Sequence, residues 1–362
     1  MMFNDLFTKY PAKSAPFLHQ QYADWSLTKP LRGLEVLHHV PVVQNTLLKI
    51  AILREAGATV TVTNPTFMHP CQQALQILRN EQVPFVADPK DLIGQTFDIY
   101  FDCGAELYQT LGPPKKGAIE LTESGDTIYR KIKLNFPVVS VDRCLTKQLE
   151  TVFGTAVSAA NSIHKLTGHS PAKLNWMIFG FGKIGRGLAY YCAKSKTSVC
   201  IADISKKARL MAQQLFLPTL DANVLPAIYE KLQTTDIVVT ATGCKGALSA
   251  YPKEWFLHKI LANMGALDEF GPGFSATEVL NAKKPLNFIL EDPTPIEYID
   301  PELYLHNQAV LDLLNNDLSF RVHNISPALD SSIIDRWCQH HQFLRQEIER
   351  WFYDYEKAVS FT

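Results

Sequence analysis

Short runs rich in apolar and β-branched residues alternate, through most of the chain, with stretches in which apolar positions recur at three- and four-residue spacing. That alternation of a period of 2 with a period of 3.6 predicts parallel α/β architecture. In the first part, residues 34–37, 59–63, 84–87, 98–101 and 138–141 read as strands, with a helix over about 42–56 ended by Gly57. Residues 145–166 read as one long helix connecting two lobes. The second lobe continues with strands at 174–178, 198–204, 236–242, 260–264 and 287–290, and with helices such as 188–193 and 206–215 between them. After Asp292-Pro293-Thr294-Pro295, residues 302–315 and 333–356 read as helices. The last carries an aromatic stripe (Trp337, Phe343, Trp351, Phe352, Tyr353, Tyr355), expected to pack on its own lobe or on a second subunit.

At 362 residues the chain is long enough for two domains. The pattern divides it into an α/β lobe (1–146), a second α/β lobe (147–299) and a C-terminal helical segment (300–362). Composition is that of a soluble globular protein, 46% hydrophobic and 20% charged. Asp5 interrupts the place where a signal peptide would be apolar, and no apolar run approaches ~18 residues, so no membrane is expected. A net charge of −1 leaves no electrostatic footprint for nucleic acid. Seven scattered cysteines with no C-x-x-C pair favour reduced thiols in a cytoplasm. His38-His39 and His340-His341 lack convergent ligands, so no metal is expected.

The strongest motif is Phe179-Gly180-Phe181-Gly182-Lys183-Ile184-Gly185-Arg186-Gly187, directly after an apolar run and before a helical pattern, with Asp203 ending the next apolar run about 20 residues on. Gly180 permits the tight turn, Gly182 lets a pyrophosphate approach the backbone, and Gly185 lets helix and strand pack closely, while the helix start offers N–H groups to an anion. Asp203 suits the hydroxyls of an adenosine ribose and repels the extra phosphate of NADP. The motif therefore predicts NAD; the alternative is a Rossmann-type unit that has lost its ligand. Lys206 and Lys207 either favour a 2′-phosphate or form a solvated face.

Four stretches narrow the family. They are residues 30–60 (PLRGLEVLHHVPVVQNTLLKIAILREAGATV), DCGAEL at 102–107 with GAIELTESGDTIYR at 117–130, VDRCLTKQLETVFG at 141–154, and 175–268, which includes TATGC at 240–244 and NMGALD at 263–268. On these the chain resembles the adenosylhomocysteinase family over about two-thirds of its length; Asn307-Gln308 is a further echo. The resemblance implies a tightly held NAD that transiently oxidises a nucleoside 3′-hydroxyl, elimination of homocysteine, addition of water and return of the hydride. It also implies a Rossmann lobe inserted in a discontinuous α/β substrate lobe, and a homodimer or higher oligomer.

The same comparison exposes departures. The family's Asp-Asp-Gly-Gly-Asp run reads Asp102-Cys103-Gly104-Ala105-Glu106, its Glu-Glu-Thr run reads Glu120-Leu121-Thr122, and its Gly-His-Phe-Asp segment reads Gly265-Ala266-Leu267-Asp268. The carry-over leaves His39, Cys103, Lys147 and Glu150 as catalytic candidates. His39 reads equally as a loop residue satisfied by backbone groups. Lys147 and Glu150 read also as a surface helix ion pair, worth roughly 0.2–0.5 kcal/mol. Cys103 reads as a small buried residue or as a thiolate activated across a cleft by a cation such as Lys147.

For the cofactor, the candidates are Gly180, Gly182, Lys183, Ile184, Gly185, Asp203, Thr240, Thr242, Gly243 and Asn263, with Thr122 expected to reach across from the first lobe. The functions these readings allow are an NAD-dependent enzyme acting on an alcohol or nucleoside-like small molecule, a non-catalytic NAD-binding homologue, and a genuine adenosylhomocysteinase. The first is preferred because the polar set for hydrolysis is depleted.

Overall fold

In the computed structural model, which describes residues 1–353, the chain forms two α/β units: residues 1–147 with 296–341, and residues 148–295 with 342–353. The first unit runs α1 (Phe3–Lys9), α2 (Pro16–Thr28), β1 (Glu35–His39), α3 (Leu47–Glu55), β2 (Thr59–Thr63), α4 (Gln72–Asn80), β3 (Ile99–Asp102), α5 (Glu106–Leu111), β4 (Gly117–Glu120), α6 (Glu123–Lys131), β5 (Val138–Ser140) and α7 (Leu145–Gln148). The second runs α8 (Thr155–Thr167), β6 (Trp176–Phe179), α9 (Lys183–Lys194), β7 (Val199–Asp203), α10 (Lys206–Gln214), β8 (Thr219–Asp221), α11 (Leu225–Leu232), β9 (Ile237–Thr240) and β10 (Ile260–Asn263). Then α12 (Ile296–Asn315), β11 (Val322–Asn324) and α13 (Pro327–His341) complete the first unit, and α14 (Arg345–Glu349) belongs to the second.

Both sheets are wholly parallel. The first has the order β11-β5-β4-β3-β1-β2, so the strand order reverses between β1 and β3. The second has the order β10-β9-β6-β7-β8, the Rossmann order, reversing between β6 and β9. Central strands of such sheets are covered on both faces, which is why they read as continuous apolar runs. On β6, Trp176 and Ile178 join one core with Ile201, Ile237 and Val239, while Met177 and Phe179 join the other with Val238 and Phe270.

Several elements differ from the sequence pattern. Residues 84–87 make only an isolated bridge, Phe85 to Val62. Residues 287–290 are not a strand: three successive residues, Asn281, Ala282 and Lys283, have positive φ, and the chain then closes into a 3₁₀ turn, Leu286–Ile289. The short strands β4, β8 and β11 have no counterpart among the strands the pattern predicts. The connecting helix holds a π-helical turn, Leu149–Gly154, between α7 and α8. The last predicted helix stops at His341 because Gln342 adopts φ 59°; residues 342–353 then leave the first unit, with Trp351 against Tyr190 and Phe352 against Phe153. Tyr355 and the predicted end of that helix lie outside the described residues.

One buried group in the first unit stands out. Lys49 of α3 is fully buried, its Nζ sits 3.7 Å from the Phe101 ring centroid, and it has no hydrogen-bond partner. Burial pushes its amine well below the usual 10.5. The nearby His38 and His306 rings are pushed down by burial, and further by Lys49. The unfolded chain holds this proton more tightly than the folded one, so the group destabilises the fold below pH 10.5. Lys49→Met, similar in volume, is expected to raise stability by about 1–3 kcal/mol at pH 7. The gain should fade as pH approaches 10.5, as read from denaturation midpoints across that range.

Candidate functional site

In parallel α/β sheets, ligands bind outside the carboxyl ends of the strands where strand order reverses. Each unit places predicted residues at that position. In the second unit, Gly180 follows β6 with φ 98°, and an added Cβ there would lie 2.4 Å from the Ala241 carbonyl oxygen after β9. Gly185 lies against the Gly180 carbonyl, where a Cβ would come within 2.1 Å, so α9 starts close against the strand. Gly182 differs: its φ is ordinary and an added Cβ meets nothing within 4 Å. Its missing side chain leaves open space at the N-cap of α9, where no side chain caps the helix. Gly187, outside the predicted set, meets the Val152 carbonyl of the π-turn, where a Cβ would be 1.8 Å away.

Asp203 ends β7 and accepts from Phe181 N at 2.8 Å through one oxygen and from Ser205 N at 2.8 Å through the other. Each oxygen keeps a lone pair. Arg209, unremarked in the sequence, donates to the Asp203 and Ile204 carbonyls and pairs with Asp221 at 2.8 Å. At the end of β9, Thr242 N, Thr242 Oγ1 and Gly243 N all donate to the buried Glu269 carboxylate at 2.7–2.8 Å. Asn263 spends its amide on its own loop: Oδ1 accepts from Thr240 Oγ1 and Gly265 N, and Nδ2 donates to the Gly265, Leu267 and Lys283 carbonyls. Lys183 and Ile184 open α9. A glycine turn of this shape, an uncapped helix start and an acid ending the second strand are the features a dinucleotide requires, so the residues fit NAD.

In the first unit, the loop after β3 is held by two buried carboxylates. Asp102 accepts from Cys103 N, Leu107 N, Tyr108 N and, at 2.6 Å, from the Tyr129 hydroxyl. Glu120 accepts from Gly104 N, Ala105 N, Thr122 N and Thr122 Oγ1 at 2.6–3.1 Å. Burial and the neighbouring Asp102 push Glu120 up to about 8 against the bonds from Thr122 and Gly104. The turn they hold is left-handed at two successive residues, Gly104 (φ 78°) and Ala105 (φ 55°).

His39, at the end of β1, is fully buried: Nδ1 lies 2.7 Å from Thr63 Oγ1 and Nε2 lies 3.2 Å from Glu106 Oε2. Its partners are side chains, so the reading as a loop residue satisfied by backbone groups is corrected. Thr122 caps α6, accepting from Gly125 N, and its hydroxyl donates to Glu120. Lys147 is buried and pairs with Glu302 at 2.7 Å, which corrects the surface-pair reading; Glu150 Oε1 accepts from Thr294 at 3.2 Å. Cys103 is buried, and burial together with Glu120 and Asp102 pushes its thiol well above 9.0, the effect of Lys147 being smaller. The thiolate reading is thereby corrected: a desolvated thiol between two carboxylates is held protonated.

The fold and these two switch-point loops define a two-unit α/β protein whose second unit has the Rossmann-type fold. The chain is similar, at 23–26% identity over most of its length, to S-inosyl-L-homocysteine hydrolases and adenosylhomocysteinases. It is 26% identical over 353 residues to S-inosyl-L-homocysteine hydrolase of Methanosarcina mazei, covering 84% of each chain. It is 23% identical over 371 residues to adenosylhomocysteinase of Thermotoga maritima, covering 88% of this chain and 90% of the other. Among solved structures, a dipicolinate synthase subunit from Bacillus halodurans shares the fold, with a TM-score of 0.52, 12% identity, and coverage of 79% of this chain and 99% of the other. No known protein-family model matches the chain. Among the described residues, no helix is long and apolar enough to cross a membrane.

The state of Cys103 is directly measurable. Iodoacetamide at pH 7.5 is expected to modify exposed Cys244 and leave Cys103 unmodified in the native protein, both being modified once urea unfolds it. Peptide mass spectrometry reads the result; native alkylation of Cys103 at a rate comparable to Cys244 would contradict the buried, protonated thiol.

Proposed function

We propose that this protein is an NAD-dependent, adenosylhomocysteinase-like enzyme that acts on an alcohol or nucleoside-like small molecule and does not hydrolyse adenosylhomocysteine at a useful rate. The observation that carries the cofactor reading is the geometry around Gly182: the fold does not need glycine there, yet the position above the start of α9 is kept clear. The Gly180–Gly185 turn and the first N–H groups of α9 hold the pyrophosphate, and the free lone pairs of Asp203 take the adenosine ribose hydroxyls. Arg209 is committed to Asp221 and two carbonyls, which supports NAD over NADP. When bound, NAD supplies the hydride acceptor. Asn263 and Glu269 keep the loops after β10 and β9 in place around it. Seven free cysteines support a reducing, cytoplasmic setting.

Against hydrolysis stand three positions. Leu121 has no acceptor for a ribose hydroxyl, Ala266 carries no proton, and Cys103 is a buried neutral thiol. These same positions favour a second reading, a non-catalytic NAD-binding homologue. Nucleotide released by denaturing the purified protein bears on the two: a mixture of NAD and NADH marks turnover of the bound cofactor and favours the enzyme, NAD alone is compatible with both, and absence of any nucleotide counts against tightly held NAD in either.

NAD is expected to bind at least tenfold more tightly than NADP, about 1.4 kcal/mol, because a carboxylate–phosphate repulsion in a partly buried site reaches that size. Equal dissociation constants by calorimetry would assign the site to Lys206 or Lys207. Gly182→Val should abolish binding of both nucleotides while leaving the melting temperature of the apoprotein within a degree or two, since the added atoms enter open space. With S-adenosyl-L-homocysteine as substrate, release of homocysteine should stay far below 1 per second, the low end of ordinary turnover; a rate near that value, followed with a thiol reagent, refutes the non-hydrolytic reading.

A further inference from the structure

Glu106 follows a turn that costs the chain strain. Gly104 and Ala105 both lie in the left-handed region, which for alanine is unfavourable and persists only when the surroundings over-determine it. Here they do. Glu120 takes the N–H of both residues, and Asp102 takes the N–H groups of Leu107 and Tyr108 on the far side. Gly125 lies so close to Glu120 that a Cβ would come within 2.1 Å of its carboxyl carbon. The effect of all this is to fix where Glu106 projects.

Its carboxylate stands where β1 and β3 diverge, the position at which parallel sheets take ligands. Three donors orient it: Thr66 Oγ1 at 3.0 Å on one oxygen, and Thr66 N at 3.0 Å and His39 Nε2 at 3.2 Å on the other. Of the groups in this cluster, His39 and Thr63 are fully buried, whereas the Glu106 side chain keeps 23% exposure. The bonds from His39 and Thr66 hold it below the ordinary carboxylate range against its partial burial. An ionised carboxylate has about four acceptor sites, so these three donors leave one for a ligand.

We propose that Glu106 is the carboxylate with which the first unit recognises a hydroxyl of its substrate, in place of the carboxylate that Leu121 removes from the neighbouring strand end. A single remaining acceptor suits a hydroxyl donor, and with His39 and Thr63 fully buried, Glu106 is the charged member of the cluster that reaches the ligand, beside exposed Thr66. His39 is then a positioning residue: it holds Glu106 and never meets the substrate. The inference rests on the nucleoside-like substrate proposed above and says which residue reads its sugar.

The test uses the NAD-saturated protein and two probes, inosine and 2′,3′-dideoxyinosine, titrated by calorimetry. The wild type is expected to bind inosine at least tenfold more tightly than the dideoxy compound. Glu106→Gln should weaken inosine at least tenfold, because a charge-assisted bond becomes a neutral one, and change the dideoxy compound less than twofold. Thr66→Ala, which frees one Glu106 oxygen without removing the charge, is expected to weaken inosine alone by a few-fold and serves if the first variant does not fold. Equal weakening of both probes, or no change for inosine, overturns the role of Glu106 while leaving the nucleoside reading intact. Failure of the wild type to bind either probe overturns the nucleoside reading, and the role of Glu106 with it.

Discussion

A carboxylate bonded to successive backbone N–H groups is the interaction on which both units depend. A parallel sheet ends each strand in a loop or helix start whose N–H groups have no partner in the ladder, and burying them unpaired costs about 1–3 kcal/mol each. This chain answers repeatedly with an acid. Asp102 and Glu120 serve the loop after β3, Asp203 the glycine turn after β6, and Glu269 the loop after β9. Asp330 serves the start of α7, and Asp300 the start of α2. Where such an acid is deeply enclosed, its charge becomes expensive, which is why Glu120 is pushed to about 8 and Asp300 to about 7.

That interaction also explains how a protein can lose part of a family's polar set and keep its loops. The first acid of each departed motif, Asp102 and Glu120, is structural and is retained; the second, replaced by Cys103 and Leu121, is the one the resemblance assigns to chemistry or sugar recognition. Cys103 and Leu121 are both buried where they stand. The loop scaffold therefore survives as a frame on which a different side chain, Glu106, presents its carboxylate.

Much of the second unit is legible in the sequence because its constraints are local. A glycine at positive φ, a glycine under a carbonyl and an acid ending the next strand fall at fixed offsets, so spacing alone names Gly180, Gly185 and Asp203. The core strands are legible because burial on both faces makes them uniformly apolar. What spacing does not reveal depends on partners far along the chain. The strand β11 is three residues long and exists because β5 offers an edge. Residues 287–290 look like a strand, but the left-handed run at 281–283 and Pro285 leave them no sheet to join. The engagement of Lys147 with Glu302, of Glu269 with Thr242, and of His39 with Glu106 follows from contacts that no periodicity encodes. A faint signal for Glu106 does exist: an acid in the first turn of a helix after a buried strand.

The chain passes between its two units at 147, 295 and 341, so neither is continuous in sequence. During synthesis this fixes an order of events. When β5 leaves the ribosome, its outer edge partner β11 is still about 180 residues away, and α12, which packs on β4 and β5, has not been made. The first unit must therefore wait, with an unpaired strand edge and an uncovered apolar face, while the whole Rossmann sheet is produced. The second unit has a shorter wait, since its sheet is complete by Asn263 and only the segment carrying Trp351 and Phe352 arrives late. The Rossmann sheet is thus placed to form before the first sheet, and the half that holds Glu106 closes only once β11 has been made.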